Sequence, residues 1–502
     1  MGIFHNILLG FQVALSWQNL LFCLIGVTYG TLIGVLPGIG PVVGVSILIP
    51  VTFGLNATTA IITMAGVYYG AMYGGSTTSI LINVPGESAS VVTCLDGYQM
   101  ARKGRAGPAL GMAALASFFA GTLAVVLLTL IAPPLADAAL SFGPPEYFAL
   151  TFMGLTLVTS LAGESMVKGL MSGVFGLIVS CVGVDAVSGE ERFTFGILSL
   201  LDGMGFVGVA VGLFAVSEVL CNLEESMEQV FIKAKLGLRN LFPNLQDWKD
   251  SWWPIWRSSL MAFFVGNLPG AGATIASFMA YGMEKKLSKH PEKFGTGVIE
   301  GVAAPEAANN AAAGGAMVPL LALGIPSSGT GAVLLGALLV HGLRPGPLLF
   351  QSNPDFVWGL IASMYIGNVM LLILNLPLVG LWASLLRIRY KILMPIILTI
   401  SAVGVYTTDN NIFDMWVMLV FGVIGYLMRK LRFPAAPVVL GLVLGPMVER
   451  SLRQSLTISH GDVMIFLTRP ISAVLITIAL ISLFAPLLRG VMEWRKKVVE
   501  IS

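Results

Sequence analysis

"VLPGIGPVVG" at residues 35–44 and "NLPGAGATIA" at residues 267–276 decide how the chain is read, because the same Gly/Pro break recurs inside two apolar stretches. Pro37, Gly38 and Gly40 of the first copy match Pro269, Gly270 and Gly272 of the second. Each copy is followed by a further break: "GGSTTSILINVPGES" (74–88), with Pro85, and "GGAMVPLLALGIPSSGTG" (314–331), with Pro326. The paired prolines lie 48 residues apart early and 57 apart late, and the charged insert "EKKLSKHPEKFG" (284–295) accounts for the difference. The chain is an internal duplication. Gly/Pro-interrupted apolar segments in corresponding halves mark a repeat transporter with its site at the repeat interface.

Composition agrees. The 502 residues are 56% hydrophobic and 11% charged, with a mean hydropathy of +0.87, far from a soluble domain. From Met1 to Gly86 there is no Asp, Glu, Lys or Arg, and uncharged runs recur at 106–136, 147–163, 258–283, 307–343, 356–386, 392–408 and 470–488. Such runs are long enough to span a bilayer. They are continuous rather than alternating, which excludes a barrel. The net charge of +2 comes from basic residues gathered in short loops, so nucleic acid is excluded as a partner and membrane lipid is expected. Cys23, Cys94, Cys181 and Cys221 have neither CxxC spacing nor histidine neighbours and read as small core residues. The N-terminus lacks a basic region and a small-x-small cleavage site, so no signal peptide is expected.

Loop charge orients the copies. The basic stretches are "RKGR" (102–105), 222–257 with Lys233, Lys235, Arg239 and Lys249, the 284–295 insert, "RIRYK" (387–391), "RKLR" (429–432) and the tail "RKK" (495–497). The positive-inside rule places them in the cytoplasm. Segment 258–283, basic on both flanks, should then dip in from the cytoplasm, turn near Pro269-Gly270 and return, and the uncharged early copy should enter from the outside. The expected fold is an all-α polytopic membrane protein of two inverted-topology repeats with broken or re-entrant helices plus an extra C-terminal transmembrane helix. Its divisions are a first repeat over 1–221, a cytoplasmic linker over 222–257, a second repeat over 258–448, and a C-terminal helix and cytoplasmic tail over 449–502.

Non-helical backbone at membrane depth survives only where protein buries it or where it lines a wet cavity. Broken helices offer free N–H groups to an anion, and unwound carbonyls can ligate a cation. The candidate substrate-binding residues are therefore Gly38, Gly40, Ser76, Thr77, Thr78, Ser79 and Asn83 in the early half, and Gly270, Gly272, Asn309, Asn310, Ser327, Ser328 and Thr330 in the late half. No Lys or Arg lies in these clusters, and Glu87 and Glu306 are the nearest carboxylates. Either is a candidate for carrying a proton or ligating sodium. No cofactor and no metal beyond a coupling sodium ion is expected. Gly and Ser at helical spacing also serve plain helix packing; their matched placement in two repeats favours function.

"GTLIGVLPGIGP" (30–41), "YYGAMYGGSTTSILINVPGE" (68–87), "DGYQMARKGRAGPALG" (96–111), "NLPGAGA" (267–273) and "EGVAAPEAANNAAAGGAMVPLLALGIPSSGTGAVLLGAL" (300–338) resemble the large membrane subunit of the tripartite tricarboxylate transporters, the TctA family. The resemblance covers nearly the whole chain. It implies a permease in the bacterial inner membrane, working with a small TctB-like membrane subunit and a TctC-like periplasmic binding protein to import citrate or another carboxylate, with uptake driven by an ion gradient. Competing readings are an anion channel, a carrier for a different organic acid, and an intramembrane enzyme. A channel would show a continuous polar path, and no His or Lys is placed to activate a serine, so the chain is read as a carrier and not an enzyme.

Overall fold

The computed structural model describes residues 3–36, 39–161, 165–185, 188–224, 237–270, 272–385 and 390–484. Gly38 with Pro37, Lys233 and Lys235 of the linker, most of "RIRYK" and the tail beyond 484 lie outside the described residues. The rest is helical, with a two-stranded ribbon pairing Gly183–Val184 and Glu191–Arg192, so the all-α polytopic expectation holds. Five helices among the described residues are long and apolar enough to cross a membrane: Trp17–Val35, Ala106–Ala139, Phe206–Glu224, Pro354–Asn375 and Ile412–Lys430.

The duplication reappears as an order of elements. After α1 (Ile3–Ala14), the early half runs through α2 (Trp17–Val35), a break, α3 (Gly40–Val51), α4 (Ala57–Ile82), a second break with a helical turn at Ser88–Ser90, α5 (Val91–Arg102) and α6 (Ala106–Ala139). There follow α7 (Pro144–Leu161), α8 (Met166–Ser180) and α9 (Phe206–Glu224), which carries a π-helical turn at Gly212–Val216. The late half repeats the order with α10 (Leu245–Asn267), a break, α11 (Gly272–Leu287), α12 (Glu300–Leu323), a second break, α13 (Gly329–Val340) and α14 (Pro354–Asn375). The chain continues through α15 (Tyr390–Asp409), α16 (Ile412–Lys430), α17 (Ala436–Ile458) and α18 (Pro470–Phe484).

Local chemistry sets these limits. Asn56 caps α4 by accepting from Thr59 N at 2.9 Å, and Asn244 forms a capping box with Asp247 that starts α10 at Leu245, inside the stretch read as linker. The long helices end in left-handed residues, Asn83 (φ 58°) for α4 and Gly324 (φ 72°) for α12. The first breaks turn the chain back on itself. In the late copy Arg257 of α10 bonds Glu284 of α11 twice, at 3.0 and 2.6 Å, so the hairpin legs return side by side. In the early copy Thr59, in the first turn of α4, donates to Asn19 at the start of α2 at 2.5 Å, so by the start of α4 the chain is back where α2 begins.

The two halves also pack alike. A Cβ on Gly34 would lie 2.2 Å from the Ala71 carbonyl oxygen, and one on Gly266 would lie 2.3 Å from that of Ala312. Conversely, Gly74 faces the Thr31 carbonyl at 2.2 Å and Gly315 that of Phe263 at 2.2 Å. Close backbone approach at small residues is the means by which membrane helices gain van der Waals contact without a hydrophobic driving force.

By contacts the chain forms two compact units, Met1–Ala138 with Val207–Tyr426, and Ala139–Phe206 with Leu427–Ser502. In the second, α8 and α17 meet through Gly176 against Val438 and Gly441 against Gly173, while Asp185 takes Arg453 (2.8 Å) and Arg192 (3.3 Å) at its edge. All candidate site residues belong to the first unit.

Candidate functional site

The breaks converge. In the late half Gly270 N donates to the Ser327 carbonyl at 2.9 Å, joining first break to second, and both Gly270 (φ 82°) and Gly272 (φ 55°) are left-handed. In the early half Gly86 sits against the Gly34 carbonyl and Gly75 Cα so closely that no Cβ fits, and Gly40 (φ 63°) starts α3 with open space beside it. The halves touch through Ser88 Oγ and Thr274 Oγ1 at 2.8 Å and through Tyr68 Oη and Ser328 Oγ at 3.4 Å. Left-handed glycines, interrupted backbone and hydroxyls thus gather at one place inside the helical bundle.

The second breaks match in backbone and differ in side chain. Glu87 (φ −142°, ψ 166°) caps the turn at Ser88–Ser90, and Ser328 (φ −148°, ψ 167°) caps α13 by accepting from Gly331 N at 3.1 Å. Counted from Pro85 and Pro326 they are the same position. Glu87 Oε2 accepts from Ala89 N at 2.5 Å, whereas Oε1 is buried without a partner. Ser327 is wholly buried and its Oγ also lacks one. Thr330 is buried in the first turn of α13, and Asn83 is exposed at the early stop.

The hydroxyls of the early cluster are already engaged. Ser76 Oγ donates to Glu306 Oε2 at 2.9 Å, Thr78 Oγ1 to the Gly75 carbonyl at 3.0 Å, and Ser79 Oγ to the Gly75 and Ser90 carbonyls at 3.0 Å each. Thr77 is buried beside them. Glu306 is completely buried on α12 and takes, besides Ser76, Thr93 Oγ1 at 2.5 Å and Asn309 Nδ2 at 3.3 Å. Asn310 Nδ2 donates to Asn309 Oδ1 at 2.6 Å and to the Glu306 carbonyl at 3.1 Å. Glu306 therefore pins α12 to α4 and α5 with its oxygens occupied. Asn310 also faces a small cavity shared with Tyr69, Gly121, Gly314 and Asn368, and Asn368 accepts from Tyr73 Oη.

Sequence reasoning missed Tyr68, Thr93 and Thr274. Thr93 lies in "SVVTCLDGYQM", whose mixed polarity carries no mark of membrane depth, and Tyr68 is one aromatic among many. Among the described residues no group of three or more His, Cys, Asp or Glu side chains could hold a metal ion.

Interrupted helices whose tips converge within a multi-pass helical membrane protein belong to the repeat-type transport proteins. The family can be stated more narrowly: residues 20–440 match the tripartite tricarboxylate transporter TctA family, and the chain belongs to it, as a component of a tricarboxylate transporter. It is similar to an uncharacterized 52.8 kDa protein in the TAR-I ttuC' 3'region of Agrobacterium vitis, 49% identical over 499 residues and 99% of each chain. It is also similar to an uncharacterized protein in the TAR-II ttuC' 3'region of the same organism, 46% identical over 234 residues, 47% of this chain and 97% of the other. No solved structure matches.

Proposed function

We propose that the chain is the permease subunit of a secondary active, binding-protein-dependent importer of carboxylates, citrate or another di- or tricarboxylate, in the bacterial inner membrane. Its partners are a small TctB-like membrane subunit and a TctC-like periplasmic binding protein, and a sodium or proton gradient drives it by alternating access. The late breaks carry this reading: Ser327 Oγ, buried without a partner, and Ser328 stand beside left-handed Gly270 and Gly272. Buried donors with no protein acceptor are what an oxyanion needs. The neutral lining suits a carboxylate recognised by hydroxyls and backbone N–H groups rather than by Arg or Lys.

The test is uptake of labelled citrate into vesicles carrying the chain with both partners, under imposed sodium or proton gradients, for wild type and the double variant Ser327→Ala, Ser328→Ala. Gradient-dependent uptake reduced at least ~10-fold in the variant is the expected result, the loss matching one to two hydrogen bonds to a charged ligand. Wild-type rates in the variant would move the site away from the late break. Accumulation that never exceeds the external concentration would replace the carrier by a channel.

A further inference from the structure

We propose that the two halves hold each other by a matched pair of latches, and that the transport cycle opens the outer one, His341 on Thr52, while the cytoplasmic one, built on Asp96, Lys103 and Arg105, stays shut as a fixed joint. The proposal rests on the transport reading above and adds which contact between the halves moves.

The latches occupy equivalent places. α5 and α13 each follow a second break, and the residue just past the helix is Lys103 in one half and His341 in the other. Lys103 Nζ donates to the Thr296 carbonyl at 2.5 Å, in the turn between α11 and α12. His341 Nε2 lies 3.2 Å from Thr52 Oγ1, in the turn between α3 and α4, and its ring stacks on Phe53 with centroids 5.6 Å apart. Each half thus reaches past its second break to the root of the other half's hairpin. Loop charge puts the grip of Lys103 on the cytoplasmic face and that of His341 on the outer face.

The two grips differ in strength. The buried carboxylate of Asp96 accepts from Gly295 N, Gly297 N and Val298 N at 2.7 to 3.0 Å, and from Tyr281 Oη, while Gly301 leaves no room for a Cβ beside it. Arg105 closes on both oxygens of Asp247, buried at the start of α10, at 2.6 and 2.8 Å. Gly107 and Gly111 of α6 rest so closely on the carbonyls of Asn240 and Leu241 that no side chain fits. The outer latch lacks all of these charges. Counted back from Lys103 and His341, Asp96 falls on Leu334, an apolar residue. Arg105 stands directly before α6, whereas Asn353 stands directly before α14 with its Oδ1 buried and unpartnered. What remains outside is one neutral bond: Thr52 Oγ1 gives its own proton to the Ile49 carbonyl at 2.8 Å, so it accepts from His341 Nε2. Hydrogen bonds to ionised groups are roughly twice as strong as neutral ones, and local opening begins where ties are few and weak. The idle acceptor on Asn353 is available to a second arrangement of the outer ends.

The test uses chains with the native cysteines replaced and carrying either Thr52→Cys with His341→Cys or Lys103→Cys with Thr296→Cys, each pair bridged by a short bifunctional methanethiosulfonate and released by reductant. In vesicles with both partners, bridging the outer pair should cut gradient-dependent citrate uptake at least ~10-fold, reversibly, and bridging the cytoplasmic pair should change it less than about twofold. Uptake retained across a bridged outer pair, or reversibly lost across a bridged cytoplasmic pair, would overturn the proposal. Hydrogen exchange of the purified wild-type chain, read by peptide mass, needs no substrate and no cysteine. Segment 293–299 should exchange at least ~10-fold more slowly than 52–56 once intrinsic rates are divided out, and Asp96→Asn should release the first alone. Equal protection of the two segments, or slower exchange at 52–56, would also overturn it. A wild type that takes up no citrate yet keeps this contrast in exchange would instead sink the substrate reading and leave the unequal latches standing.

Discussion

Gly74 of α4 and Gly315 of α12 have no room for a methyl group, each facing a carbonyl oxygen at 2.2 Å from where a Cβ would stand. Gly74→Ala or Gly315→Ala is therefore expected to destabilise by about 1–3 kcal/mol, as overpacking does, read as a drop of several degrees in the thermal midpoint of the purified protein. Gly282 of α11 supplies the contrast, because nothing lies within 4 Å of its Cβ position. There Gly282→Ala should raise stability by roughly 0.5–1 kcal/mol through helix propensity and a less flexible unfolded chain. A second residue-scale expectation concerns Asp96, wholly buried on α5, whose carboxylate accepts from Tyr281 Oη at 2.8 Å and from Gly295 N, Gly297 N and Val298 N at 2.7 to 3.0 Å. Asp96→Asn replaces one acceptor by a donor facing those N–H groups and should cost on the order of 3 kcal/mol. Limited trypsin digestion at Lys289 and Lys293 should then release the loop before α12 faster than in wild type; an unchanged digestion rate would show that the loop holds without Asp96.

At the scale of elements, the sequence was most informative where backbone chemistry is unusual. Pro37, Pro269, Pro85 and Pro326 with their glycines announce the breaks, and the breaks lie where those motifs stand. The hairpin at 258–283 was also legible, since basic flanks on both sides require a return, and Arg257 paired with Glu284 shows the legs together. Side-chain partners were not legible. Ser76 and Ser79 read as free hydroxyls in the sequence, yet Ser76 is tied to Glu306, 230 residues away, and Ser79 to the chain that folds back after Gly86. No local pattern reports such pairing, because it depends on how two distant helices are rotated against each other. Asn309 and Asn310 illustrate the same limit: counted back from the left-handed stops they correspond to Tyr68 and Tyr69, so one repeat places amides where the other places phenols. Replacing Thr93 by Val removes one donor to Glu306 at nearly constant volume and should cost about 1–3 kcal/mol. Thermal unfolding checks this, and a change below about 0.5 kcal/mol would show that Ser76 and Asn309 suffice.

At the scale of the whole molecule, loop charge makes a prediction that no internal distance can test. With the native cysteines at 23, 94, 181 and 221 replaced, a single cysteine in place of exposed Lys103 or Lys289 should resist a membrane-impermeant maleimide in intact cells and react in inverted membranes. One in place of Leu198, 81% exposed in the segment between α8 and α9, should behave oppositely. Labelling of all three from one side would end the inverted arrangement of the repeats, because Lys103 and Leu198 are separated by three helices, α6, α7 and α8.

Glu87 and Ser328 share a capping role and a backbone conformation to within a few degrees, and differ in side chain, a carboxyl at one and a hydroxyl at the other. Two identical half-length chains assembled about a twofold axis could never achieve this, since whatever residue stood at one tip would stand at the other, giving two acids or none. Only after the halves were joined in one polypeptide could a mutation reach a single tip. The chain thus holds an acid at one tip and a hydroxyl at the other, an arrangement open to two halves joined in one polypeptide and closed to a symmetric pair.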